Sequence, residues 1–550
     1  MMHTSFIELK GRERALALLD KNSFNELLGP FDRMESPHLA PQGIVPESDD
    51  GVVIARGTFS GTDAVVLSIE GAFQGGGIGE VCGTKLAASL EHILTDNKNG
   101  KKVIPIIIFD TGGVRLQEAN YGLLLISEIQ SAIVALRDYV PVIGLIPGNV
   151  GSFGGMSITA ALCSNLIMTD VARFGLNGPE VIEQEAGIKE FNSRDRRLIW
   201  DTIGGTARYE TGLVDQLVSD DISAFKNAVQ FAIDSERPVP RTHQVEKYLS
   251  AVNQLDPNVK ASREDIVRFM NNPSKEVPEI EDAKTPSRGR TWFAALTDSS
   301  ASLSDFPGVL VADKEFNGQA TRFIAVVPNA KNRYRRAVNG EVGLQEGWVL
   351  AKYIQQVIQE DANKEVKRNI VAVIDVPSQA YGYNEELMGI HYACAASADA
   401  YATARLRGHK VTGLIVGNAI SGAFLAHGLQ SSRLIALDDK DINVQAMSKQ
   451  SAARITKRTI AELEEATKKV PAMAYDIHNY YSLGALDLLI KIGNADSPTV
   501  ADVALVSKEL AKAIKDGDFT LGQRLKTQPA ITQGRVSSIK VRTKLAEQWH

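Results

Sequence analysis

Two stretches of this chain place small residues where an apolar strand gives way to a helix, and both are suited to holding an oxygen that becomes negative during a reaction. The first is Gly148-Asn149-Val150-Gly151-Ser152-Phe153-Gly154-Gly155-Met156, and the second is Gly417-Asn418-Ala419-Ile420-Ser421-Gly422-Ala423-Phe424. The first amides of a helix have no intrahelical acceptor and lie at the positive end of the peptide dipoles. Glycines at 154 and 155 present no Cβ, so a ligand atom can come close to those amides. A second donor is expected at the end of the preceding strand. There the chain reads Asp110-Thr111-Gly112-Gly113-Val114-Arg115 in the first half and Asp375-Val376-Pro377-Ser378-Gln379-Ala380 in the second. Amides from two loops that converge on one carbonyl oxygen form an oxyanion hole. A single glycine-rich turn would more simply be a tight connection. Two copies, each paired with a second turn, favour the chemical reading.

The elements that must position these corners follow from the pattern around them. An amphipathic helix is expected over residues 5–35, stopping at Gly29-Pro30. Two β-rich runs flank Ser60-Gly61-Thr62-Asp63, a hairpin turn. Strands VIPIIIFD (103–110) and VPVIGLIPG (140–148) then alternate with helical stretches, one of them over about 117–136. Continuously apolar strands alternating with helices mark an α/β core whose sheet is covered by helices. Residues 237–286 are rich in Pro, Asn and charge, with at most short helices, and read as a linker between domains 1–236 and 287–550.

The second half echoes the first. GIGEVCGTKLAASLEHI (77–93) is matched by NGEVGLQEGWVLAKYIQQVI (339–358), and VIPIIIFDTGG (103–113) by NIVAVIDVPSQ (369–379). VPVIGLIPGNVGSFGGMSITAALCSNLIMTD (140–170) is matched by HKVTGLIVGNAISGAFLAHGLQSSRLIALDD (409–439). The three echoes are collinear, with offsets of roughly 260 to 270 residues, which is a domain duplication and not a solenoid.

Composition narrows the function classes. A length of 550 residues asks for two domains, and a net charge of -6 gives nucleic acid no basic surface. Cys82, Cys163 and Cys394 offer neither a disulfide framework nor CxxC metal spacing, which suits a reducing cytoplasm. The opening residues show no apolar signal region, and no uninterrupted apolar run suggests a membrane span.

FQGGGIGEVCGTKL, FDTGGVRLQEA, GNVGSFGGMSITAAL and FGLNGPEVIEQEAG, in that order, resemble the N-terminal half of acyl-CoA carboxyltransferases of the crotonase-like superfamily. Over nearly its full length the chain resembles the biotin-independent malonate decarboxylases. Residues 1 to about 280 are similar to the beta subunit and about 287–550 to the gamma subunit, as in a natural fusion. The resemblance implies an α/β fold of two crotonase-like, superhelical ββα domains in tandem, related by pseudo-two-fold symmetry, with the active site between them. It implies a carbon–carbon lyase that converts malonyl-S-acyl-carrier protein to the acetyl form and carbon dioxide. The carrier would bear a phosphoribosyl-dephospho-coenzyme A arm, and a separate transferase subunit would reload it with malonate. No cofactor, biotin or metal would be bound directly, and the chain would sit in a cytoplasmic hetero-oligomeric complex.

By the family pattern Gly112, Gly113, Gly154 and Gly155 hold the thioester oxygen. Gly422 and Ala423, with Ser378, Gln379 and Ala380, form the second site, assigned to the departing carboxylate; in carboxyltransferases that site faces the biotin carbonyl. Gly75 and Gly76 are expected against the substrate, and Arg115 either attracts the malonyl carboxylate or pairs with Glu118. Tyr381, Tyr383, His391, His427 and Glu180 are candidates by type for returning a proton to the enolate, as is water. Arg535, Lys540, Arg542 and Lys544 are a basic tail, more simply a solvated face than a dock for an acidic carrier. The nearest alternative is a carboxyltransferase subunit of a biotin-dependent carboxylase, against which stands PSQAYGYNEEL where that family carries a Pro-Gly loop. A catalytically silent second half serving as a scaffold is the rival from another class.

Overall fold

The duplicated pattern takes shape, in a computed structural model, as two seven-stranded sheets. The structure describes residues 4–298 and 301–549. The chain divides into two compact units, one of residues 1–243, 261–268 and 537–550, the other of 244–260 and 269–536.

In the first unit the strands lie side by side in chain order, from Asn25–Leu27 through Val52–Phe59, Thr62–Ile69, Ile104–Ile108, Ile143–Ile146 and Asn165–Thr169 to Gln216–Val218. The first three are antiparallel and the rest add in parallel. Ser60 and Gly61 close the hairpin with φ of 48° and 78°, the left-handed pair that matches strand twist. Every residue of Ile104–Ile108 is buried, as β-branched strands covered on both faces require. Helices Glu80–Lys98 and Ala119–Leu136 pack on one another. The stretch Leu116–Leu136 is long and apolar enough to cross a membrane by length and composition, but nearly all of its most apolar part is buried inside the protein.

Two expectations change here. The helix expected over 5–35 is confined to Gly11–Leu18, and Asn25–Leu27 instead pairs with Val52–Phe59. The cause is Asp20. Its carboxylate accepts from Thr58 Oγ1 at 2.7 Å and from the amides of Ser60 and Gly61 at 3.0 and 2.8 Å, which ties the chain to the hairpin and ends the helix. The basic tail is the helix Val536–Gln548, held on the first unit. Glu80 accepts from the amide and hydroxyl of Ser538, and Arg542 pairs with Glu91 and, at 2.8 Å, with Glu128. Arg535 is fully buried, so two of the four tail cations are structural.

The second unit repeats the plan, with strands ordered Leu488–Ile490, Arg433–Leu437, Val411–Ile420, Asn369–Val376, Gln319–Val326 and Val309–Phe316, and Val444–Gln445 added on Val411–Ile420. Residues 237–286 contain two short helices, Val245–Gln254 and Arg263–Asn271. The first is built into this unit, with Tyr248 stacked on Trp348 at 4.5 Å between ring centroids.

Glu346, 1% exposed, reaches back to the Gly343 amide at 3.0 Å and accepts from Asn332 Nδ2 at 2.8 Å. Burial outweighs those donors and pushes its carboxyl up to about 7. A folded-state value above the unfolded one means that the protonated form contributes stability below the ordinary Glu range, and that this is lost as pH rises through about 7. Between those limits the loss is on the order of 3 kcal/mol. Glu346→Gln is expected to flatten that part of the decline in urea midpoint between pH 5 and pH 8. An unchanged slope would place the titrating group elsewhere.

Candidate active site

The first corner is built where the strand Ile104–Ile108 ends. Asp110, 1% exposed, binds Arg14 at 2.8 Å through one oxygen. Through the other it accepts from the Val150 amide at 2.6 Å, which fixes the two loops against each other. Thr111 donates its amide to Gly151 O and its hydroxyl to Gly76 O. Gly113 (φ 100°) and Gly154 (φ 56°) then meet backbone to backbone. A Cβ on Gly113 would lie 2.9 Å from Phe153 O and 3.0 Å from Gly154 Cα, so no other residue type fits without movement.

The amides expected to form the hole are mostly committed elsewhere. Gly112 donates to Gly75 O at 2.8 Å, Gly113 to Thr111 Oγ1 at 3.0 Å, and Gly154 to Leu176 O at 2.9 Å. Gly75 and Gly76 therefore shape the turn that supports Gly112 and Thr111: a Cβ on Gly76 would sit 2.0 Å from Asp110 O. Among the described residues no acceptor takes the amides of Val114, Gly155 or Met156. A side chain on residue 154 would fill the space 3.9 Å from Val114 N. Gly112 is exposed and Val114 and Gly154 are half-buried, so the corner opens to solvent.

The second unit reproduces this construction. The Ile78–Val114 bridge, in which Ile78 donates to Gly113 O and accepts from Arg115 N, has its counterpart in Val342–Gln379. There Val342 donates to Ser378 O and accepts from Ala380 N, both at 3.0 Å. Asp375 takes the Asn418 amide as Asp110 takes that of Val150. Ser421, at φ 61°, stands where Gly154 stands. Gln379 is thus the counterpart of Val114, and Gly422 that of Gly155. One contact has no equivalent in the first unit: Gln379 Oε1 accepts from Gly422 N at 3.1 Å. The second corner already holds a carbonyl oxygen. It also shows which amide of this turn such an oxygen meets, and by correspondence that amide in the first corner is Gly155.

Other expected residues fall outside the corners' chemistry. Arg115 is 2% exposed and pairs with Asp50 at 2.6 Å and with Glu118 at 2.8 Å. It is a buried brace, not a substrate group. His427 is fully buried, contacts Tyr401 OH at 2.9 Å and Val373 O at 3.0 Å, and burial pushes its pKa down to about 4. His391 is fully buried against Tyr392. Tyr381 and Tyr383 are half-buried, Lys260 lies 5.2 Å from the Tyr383 ring centroid, and Glu180 is exposed. Among the described residues no group of three or more His, Cys, Asp or Glu gathers as a metal set. A cavity of about 580 Å³ in the second unit is lined by Leu249, Met270, Phe306 and Val349 among others, and by no corner residue.

Arg173 is the residue that motif reading missed. Its backbone carbonyl accepts from Ser152 N, and its guanidinium lies 5.6 Å from the ring centroids of both Phe153 and Trp200. Its side chain donates to Val150 O at 3.0 Å and has no carboxylate ion pair among the described residues. Partial burial lowers its proton affinity, so an arriving anion meets a cation already part-stripped of water. The signal in the sequence was a lone arginine opening the RFGLNGPE segment, four residues beyond the end of the strand Asn165–Thr169.

A family described as the malonate decarboxylase gamma subunit matches residues 337–549. The malonyl-S-ACP:biotin-protein carboxyltransferase MADC of Malonomonas rubra is 37% identical over 289 residues, covering 50% of this chain and 91% of that protein. The malonyl-S-ACP:biotin-protein carboxyltransferase MADD, from the same organism, is 34% identical over 189 residues, covering 34% of this chain and 65% of that protein. A crystal structure of a Pseudomonas malonate decarboxylase hetero-tetramer in complex with malonate contains a chain 50% identical, covering 48% of this chain and 97% of that one, with a TM-score of 0.48.

Proposed function

The chain belongs to the malonate decarboxylase family, with beta-like and gamma-like halves in one polypeptide, and from that premise we propose that it releases carbon dioxide from malonyl-S-acyl-carrier protein without biotin. The observation that carries this reading is the pair of unclaimed amides, Val114 and Gly155, on interlocked glycine corners. Breaking the carbon–carbon bond of a malonyl thioester leaves an enolate whose charge rests on the thioester oxygen. No nucleophile or hydride carrier is needed; the demand is for donors preorganised around that oxygen. Each such donor contributes about 3 kcal/mol of transition-state stabilisation. Arg173 orients the free carboxylate, and a proton from water or a half-buried tyrosine completes the acetyl group.

The carrier and its phosphoribosyl-dephospho-coenzyme A arm, the malonate transferase, and residence in a cytoplasmic complex belong to the same proposal. Three buried, unpaired cysteines are compatible with a reducing compartment. The names of the curated relatives favour one second reading, transfer of the malonyl carboxyl to a biotin protein. The two separate in one experiment. Full-length protein is given carboxyl-labelled malonyl thioester on carrier, with avidin present to sequester biotin. Labelled carbon dioxide and acetyl thioester in equal amounts are expected. Turnover that appears only when biotin is supplied would establish carboxyl transfer instead.

A further inference from the structure

Of the tail cations, Arg542 is paired and Arg535 buried, but a basic cluster within the second unit is not used up in this way. After Val444–Gln445 the chain forms a hairpin of two helices, Lys449–Ile455 and Ile460–Lys469. Its carboxylates are engaged within it. Glu462 accepts from the amide and hydroxyl of Thr459, Glu464 pairs with Lys449, and Glu465 pairs with Lys468. The cations at its turn, Arg454, Lys457 and Arg458, form no carboxylate ion pair among the described residues. Ile455 and Ile460, 38% and 44% exposed, flank that turn. Lys457 ends the first helix at φ 53°, where glycine or asparagine is the usual residue, so the local backbone does not ask for a cation.

The duplication supplies an internal control. In the first unit Ser152 donates its amide to Arg173 O and bridges to Phe174; in the second Ala419 donates to Asn443 O and pairs with Val444. The next helix begins at the same spacing after Phe174 and after Val444, so Pro179–Ala186 is the counterpart of Lys449–Ile455. Pro179–Ala186 carries Glu180, Glu183 and Glu185 and no cation, whereas Lys449–Ile455 carries Lys449 and Arg454 and no carboxylate. The fold therefore accepts either sign at this place, and the positive one stands out on a chain of net charge -6. The hairpin also springs from the second glycine corner, because Ile420, which pairs with Gln445, directly precedes Ser421-Gly422. Exposed isoleucines among cations that no carboxylate neutralises fit an acidic protein face with a small apolar centre. The charges steer and orient such a face, and the isoleucines bury area once it has arrived. We propose that the turn over residues 454–460 is the docking surface for the acyl-carrier protein, holding an acidic face of that protein and leaving its arm free. The inference rests on the carrier reading above.

The test compares the full-length wild type with the double variant Lys457→Glu/Arg458→Glu. Each receives malonyl thioester in two forms: on the carrier protein, and on N-acetylcysteamine, which brings no protein to dock. The double reversal is expected to raise KM for the carrier-borne substrate about tenfold or more, with kcat and both constants for the small thioester close to wild type. In the wild type KM for the carrier-borne substrate should climb with added salt, and that dependence should shrink in the variant. An unchanged carrier KM in the folded variant, or an equal rise for both substrates, would overturn the dock. Where the double variant melts early, Lys457→Gly takes its place. It removes one cation and suits φ 53°, so the melting temperature should hold while KM for the carrier-borne substrate still rises about threefold. A wild type that decarboxylates neither thioester would sink the function proposed above, and calorimetric titration with the carrier would still decide the dock. A Kd that the double reversal leaves unchanged would overturn it.

Discussion

Gly155→Pro is expected to lower kcat for carbon dioxide release roughly 10²- to 10³-fold, with KM for the malonyl thioester within a few-fold of wild type. The donor in question is a main-chain N–H, and no ordinary side-chain substitution removes it. Proline does. At the second position of Gly154–Ala160 the amide serves no helical hydrogen bond, and the fixed φ of proline suits a first turn. The substitution therefore deletes a donor without removing a helical hydrogen bond. The loss falls on kcat because the thioester oxygen is nearly neutral in the bound substrate and anionic in the transition state, so the hydrogen bond strengthens during reaction. Gly155→Ala retains the N–H and separates loss of the donor from the presence of a Cβ. A proline variant with a wild-type melting curve and less than a fivefold drop in kcat would remove Gly155 from the hole.

Arg173→Gln is expected to act on the other kinetic constant. Deleting a hydrogen-bonded charge partner typically costs about 1.5–3 kcal/mol, or roughly 10- to 100-fold, and here it should appear as a rise in KM. The reasoning follows the charge. The carboxylate is anionic when bound and departs as neutral carbon dioxide, so a cation that grips it stabilises the ground state at least as much as the transition state. kcat is expected to stay within a few-fold of wild type or to increase. Binding of acetyl thioester, which lacks that carboxylate, should be unaffected, and Arg173→Lys should recover part of the affinity. Equal weakening of malonyl and acetyl thioesters would instead assign Arg173 to packing on Phe153 and Trp200.

Several features of the site were readable from local sequence. The glycines at 113 and 154 lie in turns whose φ values, 100° and 56°, strongly favour glycine, so their types alone announced a tight corner. Ser60-Gly61 marked the hairpin for the same reason. The duplication was readable because strand and helix periodicity survive divergence of individual residues. What failed locally is equally specific. FNELL looked like the end of a helix, yet Asp20 is bound by Thr58, Ser60 and Gly61, about forty residues away. Arg115 looked equally suited to a substrate carboxylate or to Glu118, and Asp50, sixty-five residues upstream, joins Glu118 in holding it. The tail read as a solvated basic face until Glu91 and Glu128 were found holding Arg542.

By itself, then, the sequence determined two α/β halves of one design, the tight turns at Ser60-Gly61, Gly113 and Gly154, and the class of chemistry that exposed amides at such turns perform. Those properties depend on neighbours within a few residues, where dihedral preference and hydrophobic period act. Tertiary structure alone decided which amides remain unclaimed, giving Gly112, Gly113 and Gly154 acceptors and leaving Val114 and Gly155 without one among the described residues, and it alone placed the Gln379 oxygen on Gly422. A hydrogen bond is settled by which acceptor the fold holds in line with a given donor, and the acceptors here, Gly75, Leu176 and Gln379, come from other turns of the chain.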